Sequence, residues 1–363
     1  MSVLDNIAAA PIGKVRAPPR AGAVGLWLWG LAALIFVMVL VGGATRLTES
    51  GLSITQWKPI TGVIPPLSGA DWQAEFDAYK QIPQYALLFP DMNLDGFKTI
   101  FLWEWSHRLL ARLIGVAFLV PALWFWRSGA LRGNLGRNVL VATGLLALEP
   151  IVGWWMVASG LSERTEVSQV RLALHLLIAA ATFAALVWAA TGLRAPRETT
   201  PPRVALTARL IALGVFCQIG LGGLVAGLRA GLIYNTWPLM EGAWIPGDVF
   251  GAAPWWRSLY DDAATAQFDH RLLAYGIVAL ALWHGLDASR LAPASAAAHR
   301  ARAVAGLALA QAALGVTALL LAVPIWAGLL HQALAFALLG MAVAHARASA
   351  ADRDIPSPLV GEG

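Results

Sequence analysis

Cysteine is nearly absent: Cys217 stands alone in 363 residues, which excludes a disulfide within the chain. Charge is scarce as well, with Asp, Glu, Lys and Arg at 13% against 58% hydrophobic residues and a mean hydropathy of +0.64. Such a balance excludes an ordinary soluble globular domain and makes this an integral membrane protein. No removable leader is expected. The first 23 residues carry Lys14, Arg16 and Arg20 but no small-residue cleavage site after a short apolar run, so the first span is expected to be a retained anchor. The pI of about 9.7 comes with no nucleic-acid module; basic clusters facing anionic lipid account for it.

What is present is apolar length. A hydrocarbon core of ~30 Å takes about 20 apolar residues per helical span. Eight such stretches recur, near 24–44, 107–127, 138–158, 171–192, 205–227, 270–288, 302–322 and 326–346. The expectation is an all-α membrane protein of eight transmembrane helices, arranged as two pseudo-symmetric four-helix bundles. Basic residues concentrate in the segments that share a side with the N-terminus, such as Arg127, Arg132, Arg137, Arg203, Arg290 and Arg300, which puts both termini in the cytoplasm. The organisation expected is a cytoplasmic segment at 1–23, a first half at 24–192, a cytoplasmic linker at 193–204, a second half at 205–346 and a cytoplasmic tail at 347–363.

The two halves are related by sequence. "GGATRLTESGLSITQWKPITGVIPP" from Gly42 resembles "GGLVAGLRAGLIYNTWPLMEGAWIP" from Gly222, with Gly42/Gly222, Gly51/Gly231, Trp57/Trp237 and Pro66/Pro246 each 180 apart. "HRLLA" occurs at His107 and at His270, and the last helix of each half has its own histidine, His175 and His331. Each half therefore carries one histidine pair toward the outer end of its second and fourth spans, below long outer loops at 45–105 and 228–269.

Two neutral imidazoles on facing helices can hold an iron porphyrin from both sides. Zinc would want three or four clustered ligands, and neither a cysteine nor a second carboxylate recurs in register. A histidine at a helix end more often just bonds a carbonyl or a headgroup, but recurrence in both halves favours ligands. Arginines accompany the pairs: Arg46, Arg108, Arg112, Arg171, Arg229 and Arg271 are candidates for holding propionates, with snorkelling to headgroups as the other reading. The repeat breaks at one informative place. Aligning His107 with His270 sets Glu104 opposite Gln267, so only the first half has a carboxylate one turn before its histidine. A carboxylate there, projecting over the porphyrin, could move protons, which assigns chemistry to the first half and electron transfer to the second. A plain acid at a helix N-terminus is the alternative.

These motifs, in order through "WEWSHR", "GWWMVASGL", "RLALHL", "FDHR" and "LLHQ", resemble the heme A synthase family over nearly the whole chain. The resemblance implies oxidation of the C8 methyl of heme O to a formyl group by two successive hydroxylations, through a hydroxymethyl intermediate and loss of water, in making heme A for cytochrome c oxidase. It implies heme O as substrate at His107 and His175, heme b with His270 and His331 as axial ligands, and Glu104 as the essential acid. It also implies a bacterial inner membrane with heme sites toward the periplasm. The implied partners are the lipid bilayer, the farnesyltransferase that makes heme O, oxidase assembly factors and an electron-transfer partner. The chain fits the cysteine-poor proteobacterial and mitochondrial branch. It departs at Glu149-Pro150, where Gln-Gly is expected and where the second half has Gln311; Glu149 could relay protons or simply be accommodated at a proline kink, and stays outside the expected site.

Two rival readings remain at the level of sequence. His284 and His345 each lie 14 residues beyond a candidate ligand, about 21 Å further along the helix, where a second heme would make a diheme b-type cytochrome or quinol oxidoreductase. A transporter or scaffold would suit internal repeats, but Pro121, Pro150 and Pro324 are not in repeated positions.

Overall fold

The computed structural model describes residues 20–194 and 200–350. Most of the expected cytoplasmic segment and tail, with Lys14, Arg16 and Arg353, lies outside the described residues, as do residues 195–199 of the expected linker, with Arg197. In chain order the helices are α1 (Ala21–Leu47), α2 (Gly69–Tyr79), α3 (Pro83–Leu88), α4 (Leu94–Arg127), α5 (Gly133–Ala158), α6 (Gln169–Arg194), α7 (Pro202–Gly227), α8 (Ser258–Asp261), α9 (Ala263–Leu291), α10 (Ala296–Leu320) and α11 (Ile325–Ala348). Among the described residues, eight of these are long and apolar enough to cross a bilayer, α1, α4 to α7 and α9 to α11, and no strand is present beyond a single bridge between Met240 and Ala243.

The eight spans match the apolar stretches of the sequence, but every helix begins before its stretch, and α4 and α9 do so by the most. Helix α4 starts at Leu94 and not near 107, because the Asn93 side chain accepts the Gly96 amide and opens the helix a full three turns outside the apolar run. Helix α9 starts at Ala263 and not near 270, where Asp262 caps the Thr265 amide. Glu104 and Gln267 therefore lie inside continuous helices, and the dipole of a helix N-terminus does not explain Glu104. The first outer loop also has helices of its own. Ser68 and Asp71 form a reciprocal capping box at α2, and the bonds from Ser68 hold the Asp71 carboxyl below its usual range.

Helices α1, α6, α7 and α11 form the middle of the molecule, where α6 packs on α7 and α11 packs on α1 and α6. Their contact faces are lined by small and branched residues such as Ala32, Ala180, Ala190, Ile211 and Ala342, all nearly or fully buried. On the outside, the halves differ. In the second, α9, α10, α11 and α7 close a ring, each packed on its neighbour. In the first, α4 packs on α1 and α5 on α6, but α4 and α5 barely touch.

Candidate functional site

Each of the four repeated histidines rests its ring edge on a glycine of a neighbouring helix. His107 on α4 faces Gly42 of α1, His175 on α6 faces Gly153 of α5, His270 on α9 faces Gly222 of α7, and His331 on α11 faces Gly315 of α10. A methyl group added at these glycines would come within 3.0, 3.1, 3.4 and 2.8 Å, respectively, of the ring's Cε1. A side chain at Gly42, Gly153 or Gly315 would crowd the imidazole, whereas at Gly222 the contact would be an ordinary one.

One helical turn before each glycine stands the residue that faces, or could face, Nδ1. Gln218 Nε2 lies 3.0 Å from His270 Nδ1 and donates to the His270 carbonyl at 2.9 Å; Gln311 Nε2 lies 3.1 Å from His331 Nδ1. Glu149 Oε2 lies 2.5 Å from His175 Nδ1. The fourth position is Met38, one turn before Gly42, and His107 Nδ1 has no partner among the described residues. A glutamine or glutamate followed four residues later by glycine therefore occurs in α5, α7 and α10, and a methionine takes its place in α1.

The second pair fits an iron. The His270 and His331 rings stand 6.4 Å apart between centroids with planes at 64°. Two metal–imidazole bonds of roughly 2 Å each, extended to the ring centres, span about 6 Å. Each of the two facing amides also donates to the backbone carbonyl of its own histidine, Gln218 to His270 and Gln311 to His331, which ties it to the ring it faces, while its Oε1 is buried without a donor.

Glu104 is 3% exposed. Its Oε2 accepts from Ser53 Oγ at 2.7 Å and from the Ile54 amide at 2.8 Å, and its Oε1 accepts from Arg108 Nη2 at 2.6 Å. Arg108 also donates to the Ile54 carbonyl. Gln267 takes the same place with the polarity reversed: its Nε2 donates to the Ala230 and Ile233 carbonyls at 2.6 Å, its Oε1 accepts from Arg271, and Arg271 donates to the Tyr234 carbonyl. Ile54 and Tyr234 stand 180 apart, the offset of the repeated loops. Close by, Tyr79 keeps its proton. Burial, with Glu49 and Glu104 adding to it, pushes the phenol well above its usual range, and its hydroxyl donates to Gln84.

The expected arginines separate into groups. Arg46 pairs with Glu166, and Arg229 pairs with both Glu166 and Glu49, tying the two repeated loops together across the halves. Burial works against the Arg229 charge, but the two glutamates outweigh it and hold the guanidinium above its ordinary range. Arg171 bonds the Trp155 carbonyl and lies 4.3 Å over the Trp155 ring. Arg112 bonds the Lys58 and Pro59 carbonyls. Buried donors without a partner among the described residues remain on Arg46 (Nε), Arg112 (Nη1) and Arg271 (Nε and Nη1).

Residues 25–343 match the family model described as cytochrome oxidase assembly protein. The chain belongs to this family. It is 53% identical over 354 residues to a protein of Beijerinckia indica subsp. indica, covering 96% of this chain and 99% of that one. It is 53% identical over 354 residues to one of Methylobacterium sp. strain 4-46, covering 95% and 98%. It is 57% identical over 331 residues to one of Rhodopseudomonas palustris strain BisB18, covering 88% and 89%. Each of these three proteins is named heme A synthase.

The inner histidines of this family member do not form a second ligand pair. His284 Nε2 and His345 Nε2 bond each other directly at 2.8 Å, with ring centroids 5.1 Å apart, and both residues are essentially fully buried. An iron between them would need its nitrogens about 4 Å apart. Thr207 Oγ1 at 2.6 Å takes the remaining nitrogen of His284, and Arg300 Nε donates to His345 Nδ1 at 3.4 Å. The pair joins α7, α9, α10 and α11 at their inner ends, and the diheme arrangement suggested by its spacing is overturned.

Sequence reasoning did not include Gln218 or the glycines in the site, and it set Glu149 aside. The signal that finds all of them is the four-residue spacing of a polar residue and a glycine on one helix face, repeated in three spans.

Proposed function

We propose that the protein is a heme A synthase, an oxidoreductase that converts the C8 methyl of heme O to a formyl group by two successive hydroxylations and a dehydration. The observation that carries this reading is the difference between the halves. The second closes its helix ring around a histidine pair at iron-spanning distance, as suits a resident cofactor. The first leaves α4 and α5 apart beside His107 and His175, as suits a substrate with a long prenyl tail that arrives from and returns to the bilayer.

In this reading His107 and His175 would hold heme O, and His270 and His331 would hold heme b. Heme b, when bound, supplies a one-electron redox centre. Arg271, next in sequence to His270, has two buried unpaired donors, and Arg112, on the helix of His107, has one, which makes them the propionate partners of choice. Arg46 and Arg229 instead hold the outer loops over both sites through Glu49 and Glu166. Glu104 anchors Ser53, Ile54 and Arg108 at the turn before His107, keeping a negative charge and a short hydroxyl link, Ser53 Oγ, at the edge of the substrate site. That link gives protons released in the oxidation a path that Gln267 cannot provide in the second half. The loop face is the periplasmic one, and the membrane is the inner membrane.

Extracting hemes from cells that express the wild type or Glu104→Gln, and chromatographing them, tests the proposal. Heme A is expected from the wild type, and heme O or its alcohol from the variant. Wild-type protein that yields no heme A overturns the function; heme A at full level in the variant overturns the part given to Glu104.

A further inference from the structure

Glu149 is a carboxylate on a membrane-spanning helix that makes one polar contact. Its Oε2 is 2.5 Å from His175 Nδ1, with side-chain exposures of 15% and 24%. Beyond this close approach, neither Glu149 oxygen nor His175 Nδ1 has a hydrogen-bond partner among the described residues. A carboxylate so placed is costly in an apolar span and is retained where it meets a complementary donor; the N–H of the facing imidazole is the donor within reach. At the matching position of the second half stands Gln311, an amide of the same shape without the charge. His270 also has an amide, Gln218, and His107 has only Met38 at the matching turn.

We infer that Glu149 is a positioning residue that holds His175 as the Nδ1–H tautomer and makes it the stronger of the two first-half ligands. The inference rests on the heme reading above and deepens it. A carboxylate accepting Nδ1–H fixes the ring and raises the electron density at Nε2, where an iron binds. With no acceptor at its own Nδ1, His107 is the weaker donor and the more readily exchanged of the two. The first half is thereby built with one firm and one exchangeable ligand, which suits a centre where a substituent is oxidised. The second half, with an amide at each Nδ1, is built with two like ligands, which suits electron transfer.

The test is a potentiometric titration of the purified holoprotein, and of apoprotein reloaded with hemin, followed in the visible spectrum; His331→Ala identifies which transition belongs to the second half. Glu149→Gln is expected to favour the ferrous state of first-half heme about tenfold, a rise of about 59 mV for one electron, and to leave the second-half transition in place. Gln311→Glu is expected to move the second-half transition down by a similar amount. Heme bound at an unchanged first-half potential in Glu149→Gln overturns the inference. If Glu149→Gln no longer retains first-half heme, Gln311→Glu decides alone: a lowered second-half potential supports the inference and an unchanged one overturns it. Wild-type protein that takes up no hemin in its first half would instead overturn the heme reading itself.

Discussion

The two halves of this chain differ by a carboxylate for an amide at two matched positions, Glu104 against Gln267 and Glu149 against Gln311. The side chains are nearly the same shape, so the difference lies in what they can bond. Gln267 donates to two loop carbonyls, whereas Glu104 accepts from a loop hydroxyl and a loop amide. The loop in each half is bonded to the residue one turn before its histidine, but only in the first half is that residue a carboxylate. The helix packing differs in the same sense, with α4 and α5 apart where α9 and α10 are joined. One scaffold thus yields a closed site with neutral partners and an open site with charged ones.

The largest expected effect comes from removing a ligand. His331→Ala or His270→Ala should lose one heme per protein, measured as pyridine hemochrome per chain, while His284→Ala should keep both, since that residue bonds only protein groups. Next, Glu104→Gln should lower heme A formation by about 10²-fold or more, the usual effect of deleting a group that handles protons, while the protein still folds and keeps its second-half heme. The glycine series sharpens the comparison. Gly315→Ala, with 2.8 Å to the ring, should weaken heme retention by about 10-fold or more, Gly42→Ala and Gly153→Ala less, and Gly222→Ala, at 3.4 Å, least. Equal losses at Gly315 and Gly222 would deny that the glycines seat the rings. The smallest effect belongs to Glu166→Gln. Its pairs with Arg46 and Arg229 are partly exposed, so its loss should cost about 1 kcal/mol or less, seen as a small fall in the thermal midpoint that shrinks further in high salt.

Much of the architecture was legible in the sequence because apolar length is nearly sufficient to define a span, and because the repeat carried its own register: Arg108 and Arg271 do reach loop carbonyls 180 residues apart. The early starts of α4 and α9 were not, because the turns after Asn93 and Asp262 are mixed in polarity and their helicity depends on the caps and on packing against the outer loop. The four histidines could be picked by recurrence. Gln218 and Glu149 share a spacing to a glycine that the sequence does show, but each reaches a histidine on a different helix, and a linear pattern does not tell which faces meet. His284 and His345 show the converse. Their spacing was right for a second ligand pair, and only the direct contact of their rings reveals a knot tying four helices.

The central claim is that the halves hold different hemes, a resident one in the second and the substrate in the first. Extraction and chromatography of the hemes bound to purified His331→Ala tests it most directly. The account predicts that protoheme is lost and the farnesylated heme is retained; a variant that keeps protoheme and loses the farnesylated heme would contradict it.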